Sequence, residues 1–387
     1  MLVVSEYESD ARVRRQAEAL AQRGDEVTVI ALRAEGRSNV EVIDGVRVIH
    51  LSTKKYRGDS SGAYLKLYGG FAVRAAAKLI RRPLAFDLVQ AHSMPEALVF
   101  CAALQRALRV PVLLDVHDLT STLFSSKFGD KSALMSMVNL SERAALGFAT
   151  EVITVHEPYA EMLRGMTRTR VSTVMNCPDE RMFVPRLWRG WSPHGEVVFG
   201  YHGLIAPRHG LVQVVEAIAK VRADVPGVRM RIYGNGDGLA ALRQRVDELA
   251  LHDIVHLPTR LLPLTDISAE LDRIDIGIIG SRLDQWTRHV LPNKLMEYAY
   301  VGIPAITFCN PVIERHFPAD SVTYVNPATT EHLHAAMLQL IRDPQRARAQ
   351  AERARAVMVG RTWASQRQHY FEVVDRIVAW RRRGRPE

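Results

Sequence analysis

The chain has 387 residues, 47% of them hydrophobic and 24% charged, with a formal net charge of +9. That length can bury a large core and suffices for two or three domains, and the composition is that of an ordinary soluble globular protein. The positive balance favours anionic partners: phosphorylated ligands, acidic membrane surfaces or nucleic acid. Cys101, Cys177 and Cys309 are scattered, odd in number and without metal-ligand spacing. They read as reduced thiols of a cytoplasmic protein. The opening MLVVSEYESD lacks the basic start and long apolar stretch of a secretory leader, and no segment reaches the roughly 18 uncharged apolar residues of a spanning helix. The expectation is a soluble or peripheral protein.

Short β-rich runs alternate with helical patterns along the whole chain. In the first half the runs are 2–4, 26–32, 46–51, 87–92, 110–117, 151–156 and 171–176. Several are almost continuously apolar, as parallel strands covered on both faces are. Between the first two, DARVRRQAEALAQRGDE carries Val13, Ala17, Leu20 and Ala21 on one helical face. In the second half the runs are 197–203, 228–236, 254–259, 274–280, 303–308 and 321–326. Two such βα series predict two doubly wound parallel sheets. PRLWRGWSPHGE (185–196) is rich in proline and glycine and marks the boundary, giving domains over 1–185 and 193–362. A final arginine-rich helix over 363–387 is expected to pack back on the first domain. In open α/β sheets ligands bind outside the carboxyl ends of the strands. With two such domains the expected site is a cleft between them.

Strand-end motifs are therefore the candidates. SEYESDARV brings Ser9 and Asp10 to the mouth of the first helix. The stretch 54–82 is basic with apolar and aromatic residues interleaved. It reads equally as an amphipathic helix with a solvated basic face and as a surface for an anionic bilayer. QAHSMPEA places His92 and Glu96 at a strand end. LLDVHDL does the same for His117 and Asp118. A histidine there can bind a substrate hydroxyl or act as a base, or it can be a satisfied core residue.

YHGLIAPRHGLVQVVEAIAKV (201–221) runs from strand to helix through Gly203, Arg208 and His209. A helix mouth with basic donors suits a phosphate, and the forked guanidinium of Arg208 fits its oxygens. IYGNGDG (232–238) alternates three glycines, which allow either a close approach to a ligand or a plain tight turn. In LPNKLMEYAYVGIP, Pro292 suits a first helical turn and Gly302 an end, so Lys294 and Glu297 share one face. Lys294 can meet a phosphate, and Glu297 can accept from two neighbouring hydroxyls such as a ribose presents. The alternative is a solvated ion pair at this spacing. The sequence has no D-x-D, H-E-x-x-H, C-x-x-C or Walker motif, so it indicates neither metal nor ATP chemistry.

Taken in order, the DARVRRQAEALAQRGDEVTVIAL opening, LLDVHDL, VMNCPDERMFVP, HGLIAPRHGLVQVVEAIA, MRIYGNGDG and LPNKLMEYAYVGIPAI resemble a retaining glycosyltransferase of the GT-B fold, family 4 type (glycosyl transferases group 1). The resemblance covers nearly the whole chain. It implies two Rossmann-like doubly wound domains facing across a cleft and transfer from a nucleoside diphosphate sugar, UDP foremost, to a hydroxyl of a glycan, a lipid-linked or a small-molecule acceptor. No cofactor and no metal are implied. The catalytic set is Lys294, Arg208 and His117. The donor set is Gly203, His209, Tyr233, Gly234, Thr259, His289, Leu291, Asn293 and Glu297, with Glu297 on the ribose and the base near Tyr233, Gly234 and Thr259. Asp10, His92 and Asp118 would line the acceptor wall. The chain departs from the family at three positions: His289 stands where a first glutamate is usual, Leu204 where an arginine is usual, and His209 where a lysine is usual. Alternatives are a GT-B-type epimerase or phosphorylase, or a non-catalytic nucleotide-sugar-binding subunit. Nucleic-acid binding ranks last, because the basic residues are dispersed and no recognised module appears.

Overall fold

A computed structural model describes residues 1–52, 61–128, 133–191, 195–258 and 264–383. The chain divides into two compact units, Met1–Asn176 with Gln366–Glu387, and Cys177–Ser365. The first break thus falls nine residues before the proline- and glycine-rich stretch at 185–196.

The first unit is built on an eight-stranded sheet. Its strands are β1 (Leu2–Glu6), β2 (Thr28–Leu32), β3 (Val40–Ile43), β4 (Val46–Leu51), β5 (Val89–His92), β6 (Val112–Val116), β7 (Glu151–Thr154) and β8 (Val171–Thr173). They lie in the order β3-β4-β2-β1-β5-β6-β7-β8. All neighbours are parallel except β3, which pairs antiparallel with β4, Val42 opposite Arg47. β3 was not expected. Its four residues alternate exposed and half-buried, an edge pattern too short and too charged to stand out. The central strands are buried on both sides, as their apolar runs demand.

The helix Ala11–Arg23 follows β1 and buries Val13, Ala17, Ala19 and Leu20, while Ala21 of the expected face is only half-buried. Burying Val13 and Leu20 contributes about 1.5–3 kcal/mol each. The last helix, Trp363–Arg383, returns to this sheet. There Tyr370 Oη donates to Gln90 Oε1 at 2.6 Å, and Arg376 Nη2 reaches Glu151 Oε1 at 2.5 Å.

The second unit carries six parallel strands: β9 (Val197–His202), β10 (Val228–Tyr233), β11 (Val255–His256), β12 (Ile276–Ile279), β13 (Ala305–Phe308) and β14 (Thr323–Val325), in the order β11-β10-β9-β12-β13-β14. Strand order reverses between β9 and β12 here and between β1 and β5 in the first unit. In doubly wound sheets this is where the crossover helices part and a ligand crevice opens. The candidate residues cluster at those two points.

Candidate functional site

At the second unit's reversal, β9 runs out into Gly203 just past its end, and β12 leads through the loop 280–292 into the helix Asn293–Val301. Pro292 sits at the cap rather than in the first turn, and Gly302 closes the helix in the left-handed region. The backbone here is packed closely. Gly234 has φ 149°, and a Cβ on it would lie 1.8 Å from the Gly203 carbonyl oxygen. A Cβ on Gly210, the cap of the helix Leu211–Asp224, would lie 2.0 Å from Gly280 O. The glycines of YGNGDG and PRHG therefore bring three strand-end loops together, and only glycine allows that approach.

Lys294 and Arg208 occupy this mouth in a similar way. The Lys294 ammonium lies 4.5 Å from the centroid of the buried Tyr201 ring and donates to Tyr201 Oη at 3.3 Å. The Arg208 guanidinium lies 4.7 Å over the Trp286 ring. Neither cation pairs with a carboxylate among the described residues. Ring faces hold these charges in place without neutralising them.

Glu297 is half-buried one turn along, its Oε2 2.5 Å from His202 Nε2. The Tyr298 hydroxyl donates to Gly200 O at 3.0 Å, and His202 Nδ1 lies 3.1 Å from that hydroxyl. His202 therefore ties the Glu297 carboxylate to β9. It is an orienting residue that the sequence reading missed, although it stands beside Gly203 in the same motif. Asn310 was missed as well. Its side-chain amide donates to Thr287 O and Val290 O at 2.7 and 2.9 Å and fixes the loop that bears His289 and Leu291.

Three donor-set residues differ from a simple reading of the motif. His209 was expected as a donor at a basic mouth. It is buried, with Nδ1 2.6 Å from Leu204 O and 2.9 Å from Tyr201 Oη. Burial first, and then Lys294, pushes its pKa down to about 4, so it is neutral at pH 7 and does not replace the usual lysine's charge. His289 is half-buried, and burial followed by Arg288 lowers its pKa. Tyr233 is buried and spends its hydroxyl on Glu270 Oε2 at 2.5 Å, which leaves its backbone at the loop. Leu291 is buried and Asn293 exposed at the start of the helix. Thr259 lies outside the described residues. A cleft of about 510 Å³ at the ends of β13 and β14, lined by Arg282, Phe308 and Asn326 among others, contains none of the donor-set residues.

In the first unit the reversal point is built on a buried ionic network. Asp115, next to last in β6, is fully buried and receives a forked pair from Arg12, Nε to Oδ2 at 2.8 Å and Nη2 to Oδ1 at 2.8 Å. Gln16 Nε2 donates to Asp115 Oδ2 at 2.8 Å, and Gln90 Nε2 donates to Gln16 Oε1 at 2.6 Å. Burial pushes the Asp115 carboxyl up, but Arg12 and His92 outweigh it and hold it well below the carboxylate range. His92, expected on the acceptor wall, is fully buried with Nδ1 3.2 Å from Asp115, so its ring belongs to the buried network.

His117 follows two residues after Asp115 and is half-buried. Its backbone N–H donates to Ser93 Oγ at 3.1 Å, and burial lowers its pKa, which favours the neutral ring. Asp118 is half-buried beside it. Asp10 caps its helix, accepting from Val13 N at 3.1 Å and from Ser5 Oγ at 2.7 Å.

Close by, Glu96 accepts from Thr120 Oγ1 at 2.6 Å, and Glu142 from Ser121 N at 2.5 Å. Burial and then the neighbouring Glu142 push the Glu96 carboxyl up to about 8. The sequence signal for Arg12 was an aspartate inside an apolar strand, which a buried cation has to match.

Two doubly wound parallel-sheet units with ligand-facing strand ends define the GT-B class. Residues 9–177 match the glycosyl transferase 4-like domain and residues 189–357 match the glycosyl transferases group 1 domain. The chain belongs to the glycosyltransferases of group 1. Sucrose-phosphate synthase from Thermosynechococcus elongatus is similar in structure, with 18% identity, a TM-score of 0.78 and 98% of each chain covered. The Anabaena protein HepE in complex with UDP and glucose gives 15% identity and a TM-score of 0.71, with 97% of this chain and 98% of that one covered. Among curated relatives, an exopolysaccharide phosphotransferase of Streptomyces coelicolor is 30% identical over 154 residues, and a putative colanic acid biosynthesis glycosyltransferase of Salmonella typhimurium 25% over 179. These matches take in 39% and 42% of this chain but only 15% and 43% of the relatives' length.

Proposed function

We propose that the chain transfers a sugar, with retention of anomeric configuration, from a nucleoside diphosphate sugar, UDP foremost, to a hydroxyl of a glycan, lipid-linked or small-molecule acceptor, without a metal. In this reading the domain at 193–362 holds the donor, the one at 1–185 takes the acceptor, and the protein works in the cytoplasm. The observation that carries it is the pair Lys294 and Arg208, held on aromatic faces at a glycine-walled strand end with no carboxylate among the described residues to neutralise them. The UDP found in the HepE structure supports the choice of base.

The anomeric C–O bond to the diphosphate breaks while negative charge grows on the leaving oxygens, and the two cations meet that charge without reorganising. The acceptor oxygen forms the new bond on the same face, and its proton passes to the leaving phosphate. Neutral His117 then orients a sugar hydroxyl. Glu297, aimed by His202, takes the ribose hydroxyls.

A thermal-shift screen with UDP, GDP, dTDP and ADP sugars tests the donor, since a ligand that binds only the folded chain raises its melting point. A UDP sugar should give the largest rise, and no rise with any of the four removes the reading. NMR of the product's anomeric proton tests retention. A non-catalytic nucleotide-sugar-binding subunit is the second reading, favoured by the neutral His209 and by His289. It would show the shift without turnover.

A further inference from the structure

The connections from β4 to β5, β5 to β6 and β6 to β7 run in one direction across the first sheet, so right-handed crossovers place them on one face. They form a helical layer comprising Ser61–Ile80, Glu96–Ala107 and Ala133–Phe148. The inner side of this layer buries Phe71, Leu98 and Leu146 against the sheet. Its outer side is unusual. Nine of the sixteen exposed large apolar side chains among the described residues lie on this layer or the turns that end its helices. Val73, Leu140 and Met137 are 71%, 70% and 68% exposed, and Leu65, Phe100 and Leu104 accompany them. A monomer in water rarely leaves so much apolar surface on one layer uncovered.

The charges on the same layer identify what covers it. Residues 61–109 hold seven lysines and arginines against two acids, Asp87 and Glu96. Glu96 is buried, and Asp87 is paired with Arg381 at 2.8 Å. Lys66, Arg74, Arg81, Arg82 and Arg109 are exposed among the apolar residues. A second copy of the chain would set this positive field against itself. An anionic bilayer matches both components, with headgroups for the cations and the acyl boundary for the apolar side chains.

We propose that this outer layer of the first unit docks on an anionic lipid surface. The assignment rests on the proposed function only in making the docked unit the one that takes the acceptor. Among the described residues no helix is long and apolar enough to cross a membrane, so the contact is peripheral.

The test is co-sedimentation of the full chain with phosphatidylcholine vesicles, with and without phosphatidylglycerol, alongside a UDP thermal shift. The chain should pellet with the anionic vesicles only, and less at high salt. Lys66→Gln/Arg81→Gln/Arg82→Gln should weaken binding on the order of 10²-fold, at about fivefold for each cation removed. Val73→Ser/Met137→Ser/Leu140→Ser should weaken it at least about tenfold. The UDP shift should stay unchanged in both. Equal binding by wild type and both variants, no binding to any vesicle, or a dimer that the serine variant dissolves would each overturn the proposal. The UDP shift reports on the donor site independently, so the two readings fail separately.

Discussion

The two sheets reverse their strand order in the same way but use charge in opposite ways at that point. In the first unit Arg12, Asp115, Gln16 and His92 are buried and directed at one another. In the second, Lys294 and Arg208 lie against aromatic rings without an acidic partner among the described residues, behind loops of glycine. Cations matched within the chain stabilise the fold. Cations that the chain holds but leaves unmatched are available to a ligand. Damage to the first region should therefore appear as lost stability, and damage to the second as lost turnover.

Arg12→Ala should sharpen that contrast most. It leaves Asp115 charged in the core without its guanidinium and should cost about 3–5 kcal/mol, read as a lower denaturant midpoint. A midpoint within experimental error of wild type would break the comparison. Lys294→Ala should leave the midpoint nearly unchanged and lower kcat/KM on the order of 10²-fold, with Arg208→Ala similar. Full turnover in both variants would show that the mouth does not meet the leaving group. His202→Ala, which frees the Glu297 carboxylate, should raise the donor KM about tenfold with a smaller change in kcat, as expected for lost ground-state positioning. An unchanged KM would remove His202 from the donor side.

The smallest effect concerns Glu96. Its folded pKa of about 8 lies above the ordinary 4.5, so the folded state holds the extra proton between those values and loses stability as pH rises through them. Glu96→Gln mimics the protonated form. Its melting temperature should gain on wild type as pH goes from about 5 to 8, then level off. A gain that shrinks over that range would contradict the buried carboxylic acid.

Much of the fold was legible because apolar runs of strand length alternate with helical patterns, and both sheets followed from that periodicity. The edge strand β3 was not, since a half-exposed four-residue strand carries little signal before its partner is known. In the candidate site, Gly203, Lys294 and Glu297 could be read from one short motif at each strand end. His209 could not be judged, because its charge depends on burial and on the carbonyl of Leu204, which no linear spacing reveals. His92 was placed at the correct strand end, but its depth depends on what packs above it. Arg12 was hidden for a different reason: a helix labelled amphipathic by its alanines and leucines also turns an arginine and a glutamine inward.

The last helix carries a consequence for biosynthesis. Tyr370 completes a chain of hydrogen bonds through Gln90 and Gln16 to Asp115. The first unit therefore includes residues that leave the ribosome only after the entire second unit has been made. Until then its nascent sheet must wait without the contacts that Tyr370 and Arg376 make to Gln90 and Glu151, and its final closure is a contact between residues 280 positions apart.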